Sequence, residues 1–150
     1  MGKPIRWFVV LLVVAAVASC VAVDRSQPGS DDGMGAGDGV MLEAGAATQE
    51  IDGTRVTLTM APWPPETLTE TTLTVAVQRG EQAVTGSQPA FDLTMPGMTM
   101  PENRPVAAEQ EAGTYLARTI LTMGGRWQID VTLDLPGGER TASFLLDANE

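Results

Sequence analysis

The stretch TYLARTILTMGGRWQIDVTLDL, residues 114–135, contains two segments in which apolar and polar residues alternate, with Gly124-Gly125 between them. Alternation with a period of two and many β-branched residues are typical of strands that bury one face. Two consecutive glycines end such a pattern and favour a turn. The stretch therefore predicts two long strands, residues 114–123 and 126–135, joined by a tight connection.

The same alternation recurs on both sides of this pair. It covers residues 54–60, 71–78, 91–95 and 141–146. Gly- and Pro-containing turns separate the segments, and none of them shows a sustained helical stripe. The pattern predicts an all-β fold, an immunoglobulin-like antiparallel β-sandwich of about seven strands. The residues expected to face its core from the first two of these segments are Val56, Leu58, Met60, Leu73, Val75 and Val77.

Two aromatic residues favour the same architecture. Tyr115, the only tyrosine, follows Gly113 by two residues at the start of a strand. This is the position of a tyrosine corner, whose hydroxyl ties a loop to the strand. Trp127 follows the Gly-Gly turn, where we expect it to pack in the core and to find a partner for its indole N–H near the end of the sandwich.

The N-terminus has the layout of an export signal. Lys3 and Arg6 precede an unbroken apolar run, residues 7–17, which is followed by Ala18-Ser19-Cys20. Small residues before a cysteine resemble a bacterial lipobox, in which the cysteine is lipidated and becomes the first residue of the mature protein. Cys20 is the only cysteine, so no intrachain disulfide can form. The alternative is a retained apolar membrane anchor; both place the rest of the chain outside the cytoplasm.

Composition divides the chain into three parts. Residues 1–19 are predicted to be a lipoprotein signal peptide, residues 20–49 a flexible acidic Gly/Ser/Asp linker, and residues 50–150 the sandwich domain. Residues 20–150 carry seven basic and 19 acidic side chains, a net charge of −12. Nucleic-acid binding needs a basic surface, so this class of function is excluded.

Soft metal ligands are concentrated in one loop, MPGMTMP at residues 95–101, which contains Met95, Met98 and Met100. The two later methionines are two residues apart and share a face of an extended chain, while the Pro-Gly bend turns the first one towards them. Met123 precedes the Gly-Gly turn and is expected at the same end of the sandwich. Thioether sulfur prefers soft ions, and the chain has no histidine, so these four residues predict a Cu(I) site.

The same methionines have a second interpretation, because methionine also fills irregular gaps in cores. Met95 and Met123 continue predicted strands, which favours core positions for them. For Met98 and Met100, metal binding and loop packing are equally open. Catalysis finds no support: there is no histidine, and no phosphate-binding or dinucleotide-binding motif. We therefore predict that the protein is not an enzyme.

Three motifs together resemble the YtkA-like domain family, which is related to FixH-like proteins. They are the loop at residues 95–100, Gly-Thr-Tyr at 113–115, and Met-Gly-Gly-Arg-Trp at 123–127. The resemblance extends over about two thirds of the chain and implies a small sandwich, similar to copper-handling domains of the bacterial envelope. The absence of histidine departs from many copper carriers and leaves Cu(I), rather than Cu(II), as the expected ion.

The function expected from these features is that of a lipid-anchored binding module on the extracytoplasmic side of a membrane. It would carry or buffer Cu(I), with an envelope copper exporter or an oxidase-assembly protein as partner. The alternative is a metal-free interaction lipoprotein whose methionines are packing residues.

Overall fold

The computed structural model describes residues 37–150. The predicted signal peptide at residues 1–19, the predicted lipidation site Cys20 and the first part of the predicted linker lie outside the described residues. Within the described part, no helix is long and apolar enough to cross a membrane. The ten strands are β1 (Val40–Met41), β2 (Ala46–Ile51), β3 (Thr54–Ala61), β4 (Glu70–Arg79), β5 (Gln82–Ala83), β6 (Ala90–Thr94), β7 (Ala108–Glu111), β8 (Thr114–Ile120), β9 (Gly125–Leu135) and β10 (Gly138–Ala148).

The strands form two sheets packed as a sandwich, which confirms the predicted all-β fold. One sheet has the order β1-β10-β9-β6, and the other has the order β2-β3-β4-β8-β7, with β5 paired to β4. Neighbours are antiparallel except for β1, which runs parallel to β10 with Val40 opposite Phe144. The longest pairing joins β9 to β10 over their full lengths.

The core lies between the two sheets and is filled by alternate residues of the long strands. All six residues predicted to face inward from β3 and β4 are at most 2% exposed. The largest buried side chains are Trp127, Tyr115, Phe91 and Phe144, which come from both sheets and are at most 2% exposed. The period-two pattern therefore identified the buried face of the central strands correctly.

The domain begins earlier than the sequence suggested. Residues 40–49, which the sequence analysis assigned to the linker, contain β1 and most of β2, and Leu42 is only 3% exposed. The sequence of this segment does not reveal its strands, because the half-buried positions of β2 are Ala47, Gln49 and Ile51 rather than a series of large apolar residues. The two strands are held by pairing with β10 and β3. Strand β8 is shorter than predicted and ends at Ile120.

Tyr115 ties the connection between β5 and β6 to β8. Its buried hydroxyl donates to the carbonyl oxygen of Val84 at 2.9 Å and accepts from the backbone N–H of Ser87 at 3.0 Å. The predicted hydrogen bonding of a tyrosine corner is confirmed, although both partners lie about thirty residues upstream, further than usual in such a corner.

Candidate metal centre at the methionine end

The four methionines of the predicted site lie at one end of the sandwich. At this end Glu70 lies opposite Ile120 and Thr94 opposite Gln128. Three connections meet there: residues 62–69 between β3 and β4, the first part of 95–107 between β6 and β7, and 121–124 between β8 and β9. We call it the methionine end, because Met95, Met98, Met100 and Met123 all belong to these connections.

The methionine loop begins with a tight turn that the sequence anticipates. The backbone N–H of Met98 donates to the carbonyl oxygen of Met95 at 3.1 Å. Pro96 occupies the second position of this turn, and Gly97 the third with φ of 79°. Proline at the second position and a positive φ at the third are the signature of a type II turn. The turn reverses the chain directly after β6 and projects Met98 away from the sandwich.

The four methionines differ in exposure. Met95 is 7% exposed and belongs to the core, and Met100 is half-buried and packs against that core. Met98 is 54% exposed and Met123 is 37% exposed. The predicted core position of Met95 is therefore confirmed, whereas that of Met123 is wrong. Because β8 ends at Ile120, Met123 lies in the turn rather than on the strand.

Met95 links the loop to the turn. Its carbonyl oxygen holds Met98, and its methyl carbon lies 3.4 Å from where a Cβ on Gly125 would be. Met123 is two residues before that glycine, and its carbonyl oxygen accepts the indole N–H of Trp127 at 2.9 Å. The partner predicted for Trp127 is thus present. The structure also brings the methionine loop and the Gly-Gly turn to one end, as the sequence suggested.

Asn103 fixes the far side of the loop, a role that was not predicted from the sequence. Its backbone carbonyl accepts the N–H of Leu93 at 2.9 Å, from β6 in one sheet. Its side chain accepts from the Thr119 hydroxyl at 3.0 Å and donates to the carbonyl oxygen of Ile120, both on β8 in the other sheet. Asn103 therefore joins β6, the edge strand of one sheet, to the end of β8 in the other. A cleft of about 540 Å³ opens beside it, lined in part by Met100 and Ile120.

Ion pairs surround the methionine end. Arg126 donates two hydrogen bonds of 3.0 Å to the carboxylate of Asp147. These hydrogen bonds and the negative charge of Asp147 raise the pKa of Arg126 above its ordinary value. Arg118 pairs with Glu70 at 3.3 Å. Within residues 37–150, no group of three or more His, Cys, Asp or Glu side chains is placed to hold a metal ion. The thioethers are therefore the ligands to consider at this end.

The methionine end also exposes most of the large apolar side chains that face solvent in the described part of the chain. Five of the seven lie there: Trp63, Leu68, Met98, Ile120 and Met123. Leu68 is 75% exposed, and its backbone N–H donates to the carbonyl oxygen of Leu121 at 2.8 Å. This hydrogen bond holds the connection between β3 and β4 against the turn that contains Met123.

One comparison with known proteins gives a match. A family model described as YtkA-like matches residues 48–132, from within β2 to within β9. The matched range includes the methionine loop, Tyr115 and the turn with Met123. A search of curated proteins finds no significant match.

Proposed function

The chain belongs to the YtkA-like family, and from this premise we propose that it is a membrane-tethered binding module that carries or buffers Cu(I) outside the cytoplasm. The observation that carries the proposal is the convergence of a methionine loop and a methionine-bearing turn at one end of the sandwich. Two of these methionines, Met98 and Met123, are exposed there without any opening of the core.

The exposures suggest a role for each methionine. Met98 and Met123 can offer their sulfur atoms directly, and the half-buried Met100 completes the set after a small movement of the loop. Met95 is buried and supports the loop from below; it becomes a fourth ligand only if it leaves the core. Two or three neutral thioethers make a soft site that suits Cu(I) and leaves room for a ligand from a partner.

The remaining parts of the proposal concern location and partner. A lipid on Cys20 would hold the domain on the extracytoplasmic side of a membrane, close to membrane proteins that export or insert copper. A copper exporter or an oxidase under assembly is the class of partner that such a carrier would serve. The chemistry proposed is binding and transfer of an ion, without a catalytic step.

A second candidate function is metal-free protein interaction. The burial of Met95 and the packing of Met100 against the core support it, because both are already explained by packing. The exposed apolar side chains of the methionine end would then form the contact surface. Only the sulfur atoms separate the two proposals, since leucine keeps the volume of methionine and removes its affinity for metal.

A Cu(I) competition titration under reducing conditions tests the proposal. It uses the full chain in detergent with Cys20→Ser, so that no thiol binds copper. One-to-one binding that is lost in Met98→Leu/Met100→Leu, and kept in the linker control Met34→Leu, would support a methionine site. Absence of binding in the parent would retire the copper proposal in favour of the interaction module. An equal loss of Cu(I) binding in Met34→Leu would mean that the copper site is not confined to the methionine end.

A further inference from the structure

We propose that the methionine end docks on the surface of the lipid bilayer to which the chain is tethered, with Trp63, Leu68 and Met98 in the interface. The inference rests on the membrane tether of the proposed function and does not require copper, although Met98 belongs to both proposals. It assigns an orientation to the domain: the methionine end faces the membrane, and the opposite end, with the turn between β4 and β5, faces away.

The composition of the methionine end supports an apolar partner. Leu68 is the most exposed of its large apolar residues at 75%, followed by Met98 at 54% and Ile120 at 47%. Trp63, 37% exposed, has the amphipathic ring that is favoured where an apolar phase meets water. Single exposed apolar residues are ordinary, but a group of five at one end of a small domain marks an interaction surface.

The backbone of Leu68 strengthens this argument. Its φ is 59°, in the left-handed region where glycine and asparagine are favoured and leucine is strained. With three quarters of its surface exposed, the side chain adds little to the stability of the isolated fold. A strained backbone that presents an apolar side chain to solvent is the kind of outlier from which a functional role is inferred.

The path of the chain selects the bilayer as the occupant. The described chain starts at the methionine end: a Cβ on Gly37 would lie 2.8 Å from the side chain of Pro96. Residues 21–36 separate Gly37 from Cys20, and sixteen residues reach at most about 55 Å. The opposite end of the domain is further from Gly37 by the length of β9, whose 11 residues span about 37 Å. Bringing that end to the membrane would use about two thirds of the reach, whereas the methionine end needs none of this extra length.

The charges at the methionine end indicate which lipid headgroups it would contact. Glu66, Glu102 and Glu150 are exposed at the methionine end, while Arg118 and Arg126 are already paired with carboxylates. Attachment therefore depends on apolar insertion and not on a basic patch. We expect zwitterionic lipid to be preferred, with anionic lipid weakening the contact at low salt, which is opposite in sign to the behaviour of polybasic proteins.

Tryptophan quenching in vesicles tests the orientation. The full, lipidated chain is reconstituted in phosphatidylcholine vesicles whose acyl chains carry bromine near the headgroup, and flotation first shows that it is anchored. The difference between the emission of the parent and of Trp63→Phe isolates the signal of Trp63. We expect this signal to be blue-shifted and strongly quenched by the brominated lipid, and less so after part of the lipid is replaced by phosphatidylglycerol.

Two variants sharpen the test. A reporter at the opposite end, Glu81→Trp in the Trp63→Phe background, lies in the exposed turn before β5 and is expected to remain unquenched. The double change Leu68→Asn/Met98→Gln is expected to reduce the quenching of Trp63 several-fold. Asparagine suits the left-handed backbone at position 68, so the fold is retained, as thermal unfolding in the same vesicles will show.

The alternative outcomes overturn the proposal in distinguishable ways. A chain that floats with the vesicles while Trp63 remains unquenched keeps its tether but does not dock. Equal quenching of both reporters means no preferred orientation. Shielding of Trp63 that appears only at high surface density assigns the methionine end to a second copy of the chain. Failure to float removes the tether itself, and with it both this inference and the anchored part of the proposed function.

Discussion

Replacing Met95 by alanine is expected to destabilise the fold by about 3 kcal/mol, whereas the same change at Met98 is expected to stay within about 0.5 kcal/mol. The two residues are three positions apart in one loop and differ mainly in burial, 7% against 54% exposed. The pair therefore separates methionines that hold the fold together from methionines that are free to bind.

The magnitude follows from the atoms removed. Methionine to alanine deletes three heavy atoms, each contributing about 0.8 kcal/mol when buried, or about 2.4 kcal/mol together. The cavity left beside Gly125 raises this to about 3 kcal/mol, inside the usual range of about 2–5 kcal/mol for such changes. For a domain of this size the loss corresponds to a fall in Tm of about 12 °C.

Urea unfolding of the full chain, followed by the fluorescence of the buried Trp127, measures both variants under the same conditions. With a slope of about 1.5 kcal/mol/M, Met95→Ala lowers the midpoint by about 2 M and leaves the slope unchanged. Similar losses for the two variants would refute the assignment of Met95 to the core and Met98 to the surface. So would a neutral Met95→Ala.

Three further predictions concern the neighbouring structure and the metal. Tyr115→Phe leaves the N–H of Ser87 and the carbonyl of Val84 without their partner, so we expect a loss of about 2 kcal/mol in thermal unfolding; an unchanged Tm would contradict this account. Asn103→Ala removes two hydrogen bonds between the loop and β8, and faster amide hydrogen exchange in residues 95–102 is expected, with exchange in β9 as the internal reference. Thioethers do not titrate, so any Cu(I) affinity of the Cys20→Ser chain is expected to be the same at pH 5 and pH 7; a loss on acidification would instead indicate a carboxylate ligand.

The central strands could be predicted from the sequence because each of them buries one face. In β3, β4 and β9 the alternation of apolar and polar residues follows directly from that burial. Strands without a buried face left no such signal. The four residues of β7 are all exposed, and β1 and β5 contain two residues each. Their pairing is determined by the neighbouring strand rather than by their own composition.

The candidate site was predictable where it depends on local sequence and was missed where it depends on contacts between distant residues. The Pro-Gly sequence fixes a turn by local conformational preference, and the antiparallel order of the strands brings the loop and the Gly-Gly turn to one end. The exposure of Met123 was missed because it depends on where β8 ends, and the role of Asn103 was missed because its partners lie in two different sheets. Hydrogen bonds between distant parts of the chain have no signature in the pattern of a single segment.

The parallel pairing of β1 with β10 has a consequence for the order in which the domain can be completed. Val40 lies beside Phe144, so the first strand has no partner until the last one has been synthesised. A chain delivered N-terminus first can pair β3 with β4 and β8 early, but its four-stranded sheet must wait for residue 148. Truncation before β10 removes the strand between β1 and β9, which leaves β1 without a partner strand and β9 paired only with β6. The four-stranded sheet can therefore be completed only after β10 has been made.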